Sequence, residues 1–322
     1  MHGGSNEFLD SVFPVLSDLQ PIVRACAADT LSECLKILVE RHHASLTALL
    51  CQVHFAVMEG LHLSATKKSS QSVIAKTEAT NHGCLLAVAC MLQYTRGFIL
   101  PRFDEICEAV LDFSEHPKAL IRLEVIRLVP RLAHRYPRVF GRRYLDRGLL
   151  FLLSSSSNTA SSRVGVDIRP SAFAAIGQLI LAMSDNETGN VIGGTPSPTV
   201  KILNQTQGED PNTATVVVEV AKKGIIYEKL DEIFDLVRKG LQRSRPGASS
   251  RGGADTRCTA LHCAADLIAA LGATADGYVP SLIKDMFVSG LSDDLITCLH
   301  SIAHSRPNQQ VSFASEGMSA IL

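Results

Sequence analysis

An arginine followed at fixed offsets by small and apolar residues recurs along this chain, and that recurrence limits what the chain can fold into. Windows beginning at Arg24, Arg122, Arg169 and Arg257 carry Ala27, Val125, Ala172 and Ala260 three positions on. At seven positions they carry Leu31, Val129, Ile176 and Ala264, and at ten Cys34, Leu132, Leu179 and Leu267. Offsets of 3, 7 and 10 share one side of an α-helix, whereas a half-buried strand would alternate with a period of two. The same amphipathic helix is therefore written several times.

The four windows lie about two, one and two lengths apart if the unit is ~40–47 residues, the length of HEAT and armadillo repeats. Two further members fill the gaps, about Asn81–Tyr94 and about Asp293–His304. Between these B helices, A helices are expected near 6–18, 43–62, 101–114, 139–153, 225–242 and 279–290. The expected fold class is all-α, a right-handed HEAT/armadillo-type superhelix (solenoid) of about six hairpins. Its approximate units are 6–39, 43–95, 101–136, 139–184, 225–272 and 279–305, with a further helix opening at 308–322. Because that last helix has no cap, the array is expected to continue beyond this sequence. Composition agrees: 46% of residues are hydrophobic, but aromatics are 5% and Trp is absent, so Ala, Leu, Ile and Val must build the core. Pairs such as Ala27-Ala28, Ala174-Ala175 and Ala264-Ala265 would let neighbouring helix axes approach closely.

Proline and glycine punctuate this pattern. Pro21, Pro101, Pro117, Pro170 and Pro280 fall at or beside expected helix starts, and Gly272 and Gly290 at expected ends. Pro130 falls inside a helix and predicts a kink. Stretches 64–80, 154–166 and 185–222 are rich in Ser, Thr, Asn, Gly or Lys and are expected to be loops. The longest contains Thr195-Pro196-Ser197-Pro198, a target for a proline-directed kinase. Asn186-Glu187-Thr188 and Asn204-Gln205-Thr206 match the glycosylation pattern by chance on this reading.

Catalytic chemistry is not visible. The chain has no G-x-x-x-x-G-K-[ST], G-x-G-x-x-G, G-x-S-x-G or H-E-x-x-H pattern. Asp112-Phe113-Ser114 and His134-Arg135-Tyr136 only echo kinase motifs from within helices. The nine cysteines form no C-x-x-C pair and read as reduced core thiols, which points to the cytoplasm. His82 with Cys84, or Cys258 with His262 and Cys263, could suggest a metal, but zinc needs converging ligands. Helical faces that must also pack are the expected reading, so no metal, cofactor or catalytic residue is assigned. A net charge of −1 supplies no field for nucleic acid, and no apolar run is read as long enough to insert in a membrane.

The densest local signal is basic: Arg122, Arg127, Arg131, Arg135, Arg138, Arg142, Arg143 and Arg147. Arg127, Arg131 and Arg135 repeat every fourth residue, with Glu124 at the head of the row. The row is either a solvated helix face or a docking ridge for an acidic partner segment. Stacking aromatics do not alternate with these arginines, which disfavours nucleic acid.

Leu120–Phe140 resembles the N-terminal HEAT region of the target-of-rapamycin (TOR) Ser/Thr kinases, members of the PI3K-related family. Pro130, Arg131, Leu132, Ala133, Pro137 and Phe140 fit its pattern of Leu-Pro-Arg-Leu-Ala followed by Pro and Phe. Ala25–Leu38, His82-Gly83 and Met286–Leu299 fit in the same order, while 51–63 departs from it. The resemblance implies a non-catalytic scaffold segment of such a kinase, in nutrient and growth signalling through its complexes TORC1 and TORC2. It also implies a Raptor-like or Rictor-like regulatory subunit docked on the solenoid, a small GTPase as a further partner, and a homodimeric complex. ATP and Mg would belong to the kinase domain of the implied parent, and endomembrane surfaces or the nucleus would be further locations. The alternatives are an unrelated HEAT/armadillo adaptor for transport or phosphatase regulation, and an enzyme with an all-helical site.

Overall fold

Residues 11–41, 46–64, 69–157, 166–184, 224–242, 251–287 and 291–305 are described in the computed structural model. The expected loop 185–222, with its Thr195-Pro196-Ser197-Pro198 and its glycosylation-like triplets, and the expected helix 308–322 lie outside them. Among the described residues there are helices and no strands.

The helices are α1 (11–16), α2 (Pro21–Glu40), α3 (Leu46–Leu61), α4 (Gln71–Tyr94), α5 (Arg96–Ile99) and α6 (Phe103–Leu111). They continue with α7 (Ala119–Arg135), α8 (Pro137–Arg143), α9 (Leu145–Ser157), α10 (Arg169–Ser184) and α11 (Ile225–Glu228). The last are α12 (Leu230–Gln242), α13 (Arg251–Leu271), α14 (Val279–Phe287) and α15 (Asp293–Ser305). Two layers result. Helices α2, α4, α7, α10, α13 and α15 pack in that order into one layer, each against the next. Helices α3, α6, α9, α12 and α14 back them as the second layer, α3 on α4, α6 on α7, α9 on α10 and α12 on α13.

The repeat positions explain this layering. Leu31, Val125, Val129, Leu132, Ala172, Ile176, Leu179, Ala260, Ala264 and Leu267 are all fully buried, each large one contributing about 1.5–3 kcal/mol. Cys34 is only half-buried, so the pattern weakens at the end of α2. Helix α4 differs from expectation more plainly. It begins at Gln71, inside the stretch 64–80 read as a loop. The Ser70 hydroxyl accepts a hydrogen bond from the Val73 N–H (3.4 Å) and caps this otherwise polar first turn. Similarly, α9 carries the serine run 154–157 to Ser157, with Ser154, Ser156 and Ser157 donating to carbonyls three residues back. Pro130 lies inside α7, which runs unbroken from Ala119 to Arg135.

Two glycines are required, one by a close approach and one by its backbone angle. A Cβ on Gly83 would sit 1.8 Å from the Leu16 carbonyl oxygen, so α4 meets α1 at backbone contact. Gly272 ends α13 with φ of +54°, in the left-handed region that glycine tolerates.

In two of the four windows the repeated arginine fastens the turn before its helix, whereas Arg257 lies inside α13. Arg24 donates through Nη1 to the carbonyls of Asp18 (2.6 Å) and Leu19 (3.1 Å). Arg122 does the same to His116 (2.6 Å) and Pro117 (3.0 Å), at the same offsets of six and five residues. Each turn is also closed by a side chain at its head, Asp18 accepting from the Gln20 N–H and His116 Nδ1 from the Lys118 N–H. Arg169 instead pairs with Asp167 two residues earlier (2.6 Å).

Thr256–Ala275 is apolar and long enough, at 20 residues, to cross a membrane by length and composition. This corrects the expectation that no such run exists. Its length is nevertheless used inside the fold, because α13 packs on α10, α12 and α15 and buries Ala260, Cys263, Ala264, Leu267 and Ile268.

Candidate docking surface on the B-helix layer

The predicted basic ridge divides when its side chains are placed. Arg122 is half-buried and holds the α6–α7 turn, so its donors are committed to carbonyls. Arg127 bonds the buried Glu124 carboxylate one turn earlier (2.7 Å). Arg143 pairs with Asp104, and Arg147 with Glu108 (3.0 Å) and Asp112 (2.8 Å), which ties α8 and α9 to α6. Tyr144 adds a bond from its hydroxyl to Asp104 Oδ1 (3.0 Å), and its burial beside that carboxylate pushes the phenol up to about 12. Four of the eight arginines thus brace the fold; for Arg143 and Arg147 the regular spacing could not reveal it, because their partners lie 35 to 39 residues away in sequence.

Arg131 and Arg135 remain together. They line a cleft of about 630 Å³ between α4, α7 and α10, with His134 beside them, Gln93 on one wall and Gln178 on the other. Arg131 and His134 are exposed and Arg135 is half-buried. Leu92, Pro130, Leu181 and Ala182 supply the apolar part of the lining, and no carboxylate is among the lining residues. Arg138 and Arg142 are exposed on α8. Sequence spacing placed Arg131 and Arg135 on one face but could not show Gln93 and Gln178 converging from neighbouring repeats. The cleft offers guanidinium forks and amide groups beside apolar walls, which suits a carboxylate-bearing peptide and supplies no nucleophile with an adjacent base.

The groups considered for metal chemistry separate likewise. His82 is buried and its Nδ1 accepts a bond from Arg24 Nε (3.0 Å). Burial, followed by the nearby Arg24 and Arg127 charges, lowers its pKa to about 4, so it is neutral at pH 7. Cys84 points instead at Gly60 of α3, where a Cβ would approach its sulfur to 2.3 Å. Cys263 is buried against Gly177 of α10 and burial raises its thiol pKa. Cys26 and Cys51 are exposed, so the reading of the cysteines as core thiols holds for only part of the set.

Comparison with known proteins bears on identity. No protein-family model matches the chain. It is 27% identical over 302 residues to the Serine/threonine-protein kinase TOR of Arabidopsis thaliana, covering 94% of this chain and 10% of that protein. It is 24% identical over 306 residues to the Serine/threonine-protein kinase TOR of Oryza sativa subsp. japonica, with the same coverages. A third relative, Serine/threonine-protein kinase tor1 of Schizosaccharomyces pombe, is 26% identical over 180 residues. The chain therefore spans about a tenth of the length of the first relatives it matches. Among solved structures, importin beta superposes with a TM-score of 0.64 over 98% of this chain and 33% of that one, at 13% identity. That likeness concerns the fold, a HEAT-repeat solenoid. Architecture and relatives agree: the chain is a HEAT-repeat solenoid, similar in sequence to a partial stretch of TOR kinases.

Proposed function

We propose that the segment works as a non-catalytic scaffold within a TOR-like Ser/Thr protein kinase, docking a regulatory subunit in nutrient and growth signalling. The observation carrying this reading is the match to TOR kinases along 94% of the chain, in a fold made of stacked hairpins. A solenoid of this kind presents long surfaces without placing catalytic groups at a centre. Phosphotransfer, with its ATP and Mg, would lie elsewhere in the parent polypeptide. The proposed docking face is the cleft of Arg131, His134 and Arg135 with the exposed Arg138 and Arg142 nearby. An acidic segment of a Raptor-like or Rictor-like subunit would pair with the guanidinium forks while its apolar side chains cover Leu92 and Leu181. Further contact with a small GTPase, dimerisation through the parent, and a cytoplasmic, endomembrane or nuclear location are parts of the same proposal.

The test is native purification of the protein tagged at its own gene, followed by mass spectrometry. The wild type is compared with an Arg131→Glu/Arg138→Glu/Arg142→Glu variant. The proposal expects kinase-domain peptides on the tagged polypeptide in both samples, and a regulatory subunit recovered at least about tenfold less in the variant. Recovery of only a 34.7 kDa chain would remove the kinase reading. Undiminished recovery of the subunit would remove this docking face.

A further inference from the structure

Helices α13 and α15 each present a pair of metal-ligating side chains one turn apart, and the two pairs meet. On α13 they are Cys258 and His262, and on α15 Asp294 and Cys298, each pair spaced i, i+4 so that both members share a face. His262 Nε2 lies 3.5 Å from Asp294 Oδ1, while its other nitrogen, Nδ1, lies 3.5 Å from Cys298 Sγ. One ligand atom from each of Cys258, His262 and Asp294 falls within 4.8 Å of the other two. The sequence alone suggested Cys263 as the partner of Cys258 and His262. The fold turns Cys263 into the α10 interface and brings residues from the next repeat in its place.

We propose that Cys258, His262 and Asp294 bind a divalent zinc-class ion that staples α15 to α13, with Cys298 as the group that orients the histidine. The donor set favours such an ion. A thiolate, an imidazole and a carboxylate together suit borderline-soft zinc, whereas calcium and magnesium prefer oxygen donors alone. The geometry also fits. Ligands at about 2.0–2.3 Å from a tetrahedral zinc stand roughly 3.3–3.8 Å from one another, which the histidine–aspartate separation already meets. The Cys258 sulfur, within 4.8 Å of both, has to approach by about 1 Å.

Each atom has one task in this arrangement. His262 gives its Nε2 lone pair to the ion and keeps its proton on Nδ1, from which it donates to the Cys298 sulfur. An outer acceptor of that kind fixes the tautomer and the plane of a ligating imidazole. Cys258 binds as the thiolate, releasing its proton to solvent, and Asp294 binds through one oxygen. Three protein ligands leave a fourth position, which faces water because His262 and Asp294 are about half exposed (47% and 51%). Among the B helices described, α15 packs only on α13, so a bond across this seam is where a staple would add most.

The experiment is titration of the purified, reduced 322-residue chain with cobalt(II) alone, read by visible and near-ultraviolet absorption, then displacement by zinc(II). The proposal predicts one cobalt per chain, with tetrahedral d–d bands and a thiolate-to-cobalt charge-transfer band, both removed by zinc. His262→Ala and Asp294→Asn should each abolish the tetrahedral bands, and Cys258→Ser the charge-transfer band. Cys298→Ser should keep both bands while weakening apparent affinity about 10–100-fold. Circular dichroism of each variant is expected to show that the helices persist, because His262 and Asp294 are half exposed and the buried Cys298 is exchanged for a serine of nearly the same shape. A spectrum unchanged in His262→Ala and Asp294→Asn would mean thiols binding cobalt indiscriminately and would overturn the site. So would a Cys258–Cys298 disulfide that survives reduction in peptide mapping, or a charge-transfer band that depends on Cys298 and not on Cys258.

Discussion

The seam between α2 and α4 and the seam between α10 and α13 occupy equivalent places in the B layer, yet they are built from different chemistry. At the first, Arg24 is buried, bonded to His82 and to two turn carbonyls, and flanked by the Gly83–Leu16 backbone contact. At the second, Gly177 lets α13 approach α10 until the Gly177 Cβ position lies 3.2 Å from the Cys263 Cα and 2.7 Å from Asp266 Oδ2. The first is a polar lock that depends on every partner being present, because an orphaned buried donor or acceptor costs about 1–3 kcal/mol. The second is an apolar contact of small residues with one carboxylate at its border. Equal repeat positions therefore do not mean equal sensitivity.

The largest difference should come from deleting the lock. Arg24→Ala strands His82 Nδ1 and is expected to cost about 3 kcal/mol. Arg122→Ala removes the same kind of turn clamp without a buried histidine and should cost about 1 kcal/mol. Denaturant titration of both variants checks this, and equal losses would show that the clamp, not the Arg24–His82 bond, carries the energy.

Acid should separate the seams next. Unfolded, His82 takes up a proton below about pH 6.5, but in the fold only below about 4. Between those values the unfolded chain binds more protons, so stability falls as pH is lowered, by up to about 3 kcal/mol. Asp266 runs the other way. Its burial raises the carboxyl pKa to about 6 from 3.8, so the fold holds the extra proton and stability falls as pH rises through that window. Urea midpoints from pH 4 to 7 for His82→Gln and Asp266→Asn should thus change slope in opposite senses. A shared sign would contradict the assigned environments.

Glycine substitutions sharpen the comparison further. Gly83→Ala meets a carbonyl oxygen that cannot rotate away and should cost about 2 kcal/mol, while Gly177→Ala meets in part the movable Asp266 side chain and should cost about 1 kcal/mol. Smallest of all, Arg147→Ala at the exposed pairs with Glu108 and Asp112 should shift stability by less than ~1 kcal/mol, and less still in high salt. Thermal melts with and without added salt distinguish that value from a structural role.

How much of this could be read from sequence follows from the range of each interaction. The helix faces were legible because Leu31, Val129, Ile176 and their counterparts repeat locally with the helical period, and the structure buries them. The start of α4 was hidden because a capped polar turn has loop-like composition. The fates of Arg143 and Arg147 were hidden because Asp104, Glu108 and Asp112 belong to another hairpin. The cleft was half visible: the fourfold spacing put Arg131 and Arg135 together, but Gln93 and Gln178 arrive through packing. Asp294 and Cys298 approach Cys258 and His262 for the same reason, across repeats whose register no local pattern encodes.

The central structural claim is that successive B helices form one continuous stack, and native-state hydrogen exchange of the whole chain resolved by peptide tests it most directly. The account predicts the slowest exchange in α4, α7, α10 and α13, each packed between two B helices, and faster exchange in the second-layer helices α3, α6 and α14. Slowest exchange in those second-layer helices, or an abrupt loss of protection between α7 and α10, would contradict it.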